Sequence, residues 1–433
     1  MFVISVDIYF ECWCYSLKPL TMKATRFVLI FAALVQTVRP EGCNFAPFRV
    51  WQSVLLSAEN IEMLYPPIEN SPDNRNISLP VGATIIISCN GGRFSASYNT
   101  TKTIFATCNQ DYQLEAQDTI VDFDNLDCIN FSPVVPKVTS TPCAPNAVLI
   151  EVGFQIGLNI KFLPQVKICF DEKNLIPVYA NYNLTKSIGF IKTYLSDQYV
   201  VDSVYNVDVD FDTLYDNVTY QEQQINKLLG LPEDSTQYVS PVSCGANPLI
   251  TTPGFCFTRR TLAFRGDFVY TSQQKATFRY INVAPQWSFI DYNLDKLERN
   301  VVDFVKTKKL DLEVYTGTFG VATLPDANTG EEVKLFLHND EKSSVMPVPL
   351  IFWKLIYERT SYKAAVFLVV NNPHLTQDDI PKNVICNDIS DEFTWLTWEK
   401  RNATKGYSYA CTYEDAKAAI TYLPDLLVRG VLV

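Results

Sequence analysis

Apolar positions change their spacing several times along this 433-residue chain, and each change predicts a different element. Between residues 43 and about 145 the apolar runs are short, β-branched and bounded by Gly, Asn or Pro. The runs 83–88 and 103–107 are typical, and together they predict a β-rich module. Prolines spaced through 132–145 predict a linker. Strand character resumes over 147–163 and 166–170, while 195–240 is polar, acidic and Tyr-rich with helical spacing near 220–229. The stretch 255–270 reads as strand followed by loop. The best helical pattern is 294–308, where Leu294, Leu297, Val301, Val302, Phe304 and Val305 fill one arc. Glu298 falls inside that arc, and a carboxylate on a buried face costs free energy unless it has a partner or a function. Strands are predicted at 312–324, 350–357 and 364–370, then mixed turn and helix over 395–426. Strands and helices without regular βαβ alternation predict an α+β domain.

The N-terminus changes this picture. Lys23 and Arg26 precede the apolar run 27–35, a basic region followed by a hydrophobic one of signal-peptide length. We read 22–42 as a signal peptide. Asp7 and Glu11 interrupt the apolar run before Met22, so 1–21 reads as an over-extended N-terminus. No run of eighteen apolar residues occurs, so no membrane-spanning helix is predicted. Ten cysteines follow the signal, none in C-x-x-C spacing, which predicts an oxidising compartment and up to five disulfides. Cys244–Cys256 and Cys386–Cys411 are the expected local pairs. N-x-S/T triplets at Asn76, Asn99, Asn130, Asn183, Asn217 and Asn402 predict a secreted, extracellular glycoprotein.

A net charge of −11 argues against a polyanion ligand for the molecule as a whole. Its distribution argues otherwise. Between residues 255 and 309, ten basic residues (Arg259, Arg260, Arg265, Lys275, Arg279, Lys296, Arg299, Lys306, Lys308, Lys309) face only five acidic ones. A basic island in an acidic chain is either a phosphate site or an ordinary solvated face.

Within the island, Thr258-Arg-Arg-Thr-Leu-Ala-Phe-Arg-Gly-Asp-Phe-Val-Tyr270 is followed by Gln274, Thr277-Phe278 and Asn282-Val-Ala-Pro-Gln-Trp287. This order resembles the DNA/RNA non-specific endonucleases, in which R-G-H-L is followed by A-D-F, N-x-A-P-Q-W and a helix ending L-E. The likeness continues through Tyr315-Thr-Gly317, Trp353-Lys354, Asn371-Asn-Pro373, Cys386-Asn-Asp-Ile-Ser390 and Gly406-Tyr-Ser-Tyr-Ala-Cys411. It covers roughly residues 145 to 430 and is strongest toward secreted arthropod salivary forms. The resemblance implies a ββα-metal nuclease-like domain over 146–433, with a mostly antiparallel central sheet and flanking helices, behind the β-rich module 43–145.

It also implies a site. One divalent metal, Mg2+, stabilises the charge on phosphorus, a base activates water, and cations hold the phosphate. Arg259 matches the first residue of R-G-H-L, Asn282 the asparagine of N-x-A-P-Q, and Glu298 the glutamate of L-E. Asp291 stands where a metal-binding asparagine is expected. Arg260 stands at the glycine of R-G-H, and Thr261 at the catalytic histidine. A threonine hydroxyl is no base near neutral pH, so hydrolysis is expected to be weak or lost. Arg259, Arg260, Lys275, Arg279 and the 306–309 run are expected to contact phosphates of DNA and RNA without sequence preference. Each residue also has a plainer reading: Asp291 as a helix cap, Glu298 as partner of a buried Arg, and Arg259 and Arg260 as surface charges. Arg265-Gly266-Asp267 spells an integrin-binding tripeptide but falls on an internal element of the family pattern. Two alternative functions stay open: an active metal-dependent endonuclease, and an extracellular interaction protein without nucleic-acid binding. Oligomeric state is left open.

Overall fold

Long β-branched runs in the second half of the chain set the architecture, because two faces of apolar side chains must be covered. The computed structural model describes residues 42–433 apart from 47–52, 69–75, 90–91, 95–100, 124–125, 127, 130–133, 158–160, 192–197, 206–208, 241–254 and 341–343. The expected signal peptide, Cys244, Asn99 and Asn130 therefore lie outside the described residues. No described helix is long and apolar enough to cross a membrane.

The strands of the second part include β1 (Val135–Ala144), β2 (Ala147–Ile156), β3 (Lys161–Asp171), β4 (Ile176–Leu184), β5 (Phe257–Thr261), β6 (Val283–Trp287), β7 (Leu312–Val321), β8 (Pro349–Glu358), β9 (Lys363–Val370), β10 (Ser408–Cys411) and β11 (Gly430–Val431). Nine of them form one sheet in the order β1-β2-β3-β4-β7-β8-β9-β10, with β11 pairing β9. All pairs are antiparallel except β9–β11. One face packs under the hairpin β5–β6 and the helices α1 (Phe211–Asp216), α2 (Val218–Leu228) and α3 (Asp291–Lys308). The other face is covered by the helix Tyr413–Ala419 and the chain after it. The result is α+β and mostly antiparallel, as expected.

The linker expected at 132–145 is instead strand β1, at the edge of the sheet. Pro136 and Pro142 bring no N–H to a ladder, which an edge strand tolerates, and register shifts accompany Pro142. The N-terminal part carries a five-stranded sheet built from Val54–Ser57, Thr84–Ser88, Thr103–Cys108, Leu114–Ala116 and Thr119–Ile120. Disulfides Cys43–Cys108 and Cys89–Cys128 staple it, and Cys143–Cys169 ties β1 to β3. Cys386–Cys411 forms as expected, and Cys256 is also disulfide-bonded.

Candidate functional site

The site is a hairpin laid against a helix. In β5–β6, Arg259 pairs with Pro285, Arg260 with Ala284 and Thr261 with Val283. Strand pleating turns neighbouring side chains to opposite faces, so the two arginines part company.

Arg260 points at α3. There Asp291, Asp295 and Glu298 recur four and then three residues apart, which places all three carboxylates on one helical face. Arg260 Nη1 lies 3.3 Å from Asp295 Oδ1 and 3.9 Å from Asp291 Oδ1, while Nη2 donates to Glu298 Oε1. Arg260 is 6% exposed and Glu298 2%. Burial pushes the Glu298 carboxyl up, to about 8, against the pull of Arg260 and Lys354. Burial likewise works against the Arg260 charge, but Glu298, Asp295 and Asp291 outweigh it and raise the guanidinium pKa. Glu298 is thus the partner of a buried arginine. Asp291 opens α3, accepts from Gln286 Nε2 and keeps about half of its side chain in water, 47% exposed.

Arg259 points the other way, toward α1. Asp210 caps that helix by accepting from the N–H groups of Asp212 and Thr213. Asp212 and Asp216, one turn apart, then face the strand. Arg259 Nη1 and Nη2 bond Asp216 at 2.5 and 2.8 Å, and Nη2 bonds Asp212 at 3.0 Å. Nε donates to Tyr280 Oη at 3.1 Å, and the guanidinium lies 5.3–5.7 Å from the ring centres of Tyr199, Tyr215 and Tyr280. The arginine expected to clamp phosphate is already clamped by two carboxylates in an aromatic box.

The remaining expected residues spread out. Asn282 is fully buried. Its Oδ1 accepts from Ala263 N–H at 2.9 Å, and its Nδ2 donates to the carbonyls of Ala263 and Thr277. It ties the loop after β5 to the start of β6. Arg279 is buried on Asp202, with Nε to Oδ1 at 2.8 Å and a further bond to the Val134 carbonyl. Lys275 closes the short helix Thr271–Lys275 and is half-buried. Thr261 is half-buried at the end of β5.

Below the Arg260 cluster lies a charge group that the pattern of the sequence did not single out. Lys354 Nζ donates to Asp267 Oδ2 and to Tyr182 Oη, both at 3.0 Å, and Tyr182 Oη donates to Asp267 at 2.6 Å. Asp267 holds the buried ammonium above its ordinary pKa. The carboxylate of Arg265-Gly266-Asp267 is therefore interior and unavailable to an integrin. Asp295 also escaped notice, although its spacing from Asp291 and Glu298 is a signal. Asp212 and Asp216 carried a weaker one, as an i, i+4 acidic pair in a polar stretch.

Residues 145–416 match the sequence pattern described as DNA/RNA non-specific endonuclease. The chain belongs to that family. It is similar to a salivary endonuclease of Lutzomyia longipalpis, 28% identical over 334 residues that make up 75% of this chain and 69% of the relative. Two Glossina morsitans morsitans salivary proteins, Tsal1 and Tsal2A, are 22% and 23% identical, each over 83% of this chain and 86% and 87% of their own.

Family members are metal-dependent, commonly on Mg2+. The residues around Arg260 do not fit such an ion. A cation already faces the three carboxylates, and among the described residues no three His, Cys, Asp or Glu side chains are arranged to hold a metal.

Proposed function

We propose that this chain is a secreted, glycosylated nuclease-family protein that holds DNA and RNA by their phosphates, without base readout, and hydrolyses them weakly or not at all. The observation that carries the loss of hydrolysis is the position of the two histidines in the chain. Thr261, at the family's base position, has no lone pair basic enough to take a proton from water near neutral pH. His338 Nδ1 is hydrogen-bonded to Tyr220 Oη at 2.9 Å. His374 sits among the rings of Tyr238, Phe255 and Trp287. Trp287 lies four residues, about 13 Å of strand, along β6 from Val283, the partner of Thr261, so His374 packs at the opposite end of the hairpin from the base position. Loss of a general base costs about 10²–10⁴-fold in rate.

Support for phosphate binding comes from cations that remain in water. Arg299, Lys306, Lys308 and Lys309 are exposed, and their pairs with Asp295 and Asp303 are solvated and weak. Arg259, Arg260 and Arg279 are taken up by carboxylates. The disulfides, the exposed sequon residues Asn183 and Asn217, and the salivary names of the relatives support secretion.

The test is a gel shift of DNA and RNA at rising salt beside a Mg2+-dependent plasmid degradation assay. Binding is expected to fall steeply between about 50 and 200 mM salt, to ignore sequence, and to weaken when Lys306, Lys308 and Lys309 become alanine. Robust cleavage by the unmodified protein, or no binding at low salt, overturns the reading.

A further inference from the structure

We infer that the Arg260 guanidinium takes the place of the divalent ion in this chain, so that Asp291, Asp295 and Glu298 form a site held by an internal cation and closed to metal. Three observations meet here. The carboxylates share one face of α3, the arrangement that presents oxygens to a central cation. Arg260 reaches all three from the opposite strand: Asp295 at 3.3 Å, Asp291 at 3.9 Å and Glu298 in direct contact. Arg260 stands where the family pattern has glycine, so its side chain fills a volume that a glycine leaves open.

Charge and geometry then decide between the occupants. Mg2+ demands oxygens at about 2.0–2.1 Å in near-octahedral order. An oxygen that accepts from a guanidinium N–H points at nitrogen, and the fixed planar fork of arginine keeps it there. A second cation among the same oxygens would lie a few ångströms from the first, where like charges in a partly buried cluster repel, a divalent ion twice as strongly as a monovalent one. The divalent ion would have to displace a buried arginine from the carboxylates that balance its charge. The guanidinium also supports the fold, since without it Glu298 is a buried carboxylate with no cation in hydrogen-bond contact. This inference does not rest on nucleic-acid binding.

Mn2+ alone is the probe, followed on the full secreted chain by the electron paramagnetic resonance signal of the free ion. The unmodified protein is expected to leave that signal unchanged, and Asp291→Asn with Asp295→Asn to alter nothing further. Arg260→Gly, checked for folding by circular dichroism, is expected to take up one Mn2+ per chain, at least about tenfold more tightly than the unmodified protein. Adding Asp291→Asn should remove that uptake. One Mn2+ bound by the unmodified protein and lost with Asp291→Asn overturns the inference. So does a folded Arg260→Gly that binds no better. If Arg260→Gly fails to fold, the unmodified protein decides alone, since its indifference to Mn2+ is the claim. Metal indifference together with absent DNA binding would sink the proposed function and leave this inference standing.

Discussion

Arg259 and Arg260 are adjacent, yet strand alternation sends one into an aromatic box with Asp212 and Asp216 and the other into the carboxylates of α3. What each can do is decided by that half-turn of the backbone and by nothing intrinsic to arginine. On the proposed reading, the missing chemistry is two residues wide: Arg260→Gly would remove a competing cation, and Thr261→His would supply a base. The double variant is expected to gain at least about tenfold in Mg2+-dependent plasmid cleavage, a conservative share of a general base's contribution. Asp291→Ala added to it should abolish the gain. A folded double variant with no gain would show that something besides base and cation is missing. His374 makes a separate residue-scale prediction. Burial among aromatic rings lowers its pKa to about 4, whereas an unfolded imidazole titrates near 6.5. A depressed folded pKa means that the unfolded chain takes up the proton first. Stability is therefore complete above about pH 6.5 and declines as pH falls toward 4, by at most about 3 kcal/mol. Melting temperatures between pH 7.5 and 4.5 should fall less in His374→Phe than in the unmodified protein. Parallel slopes would rule out His374 as the titrating group.

At the scale of elements, the hairpin β5–β6 is fastened to the central sheet by one side chain. Asn371 Oδ1 accepts from Trp287 N–H at 3.0 Å, and its Nδ2 donates to the carbonyls of Pro285 and Pro349 at 3.2 and 2.9 Å. The residue is fully buried, so Asn371→Ala leaves three backbone groups without partners in a dry place. A loss of about 2–4 kcal/mol is expected, read from the urea midpoint. A loss below about 1 kcal/mol would mean that water fills the gap. The legibility of these elements in the sequence follows from how local their causes are. Helix α3 was readable because six apolar residues and Glu298 repeat at helical spacing inside one segment. Strands β8 and β9 were readable as short runs of aliphatic and aromatic residues, broken in β8 only by Lys354. Strand β1 was not, because its prolines look like a linker until one knows that it lies at a sheet edge. The pairing of Arg259 was equally hidden, since Asp212 and Asp216 arrive from more than forty residues away. The place of Arg260 was half legible: Glu298 announced a buried partner, but nothing local named it.

At the scale of the whole molecule, the N-terminal sheet is two-faced, and this decides how the protein unfolds. Leu55, Ile85 and Ile87 point into the sheet's own core, while Val54, Leu56 and Ile86 point into the core that holds the candidate site. The chain just beyond this strand is pinned as well. Tyr270 Oη donates to the Leu64 carbonyl, Gln273 Nε2 to Tyr65 Oη at 2.9 Å, and Ser187 Oγ to the Pro66 carbonyl at 2.9 Å. Tyr65 and Tyr270 stack at 5.6 Å between centroids. Burying three aliphatic side chains across this seam contributes about 5–9 kcal/mol, comparable to the stability of an entire domain. The part of the chain that carries this five-stranded sheet is thus expected to melt with the rest, because either part alone would expose the other's apolar face. Calorimetry of the intact protein should show one cooperative transition. Leu56→Ala, at the seam, should lower that transition as a unit, by about 2–5 kcal/mol. Two resolved transitions, with Leu56→Ala moving only the first, would mean that the seam is a docking contact between independent folds. A single shifted transition would mean that the site helix and hairpin owe part of their stability to a strand more than two hundred residues upstream.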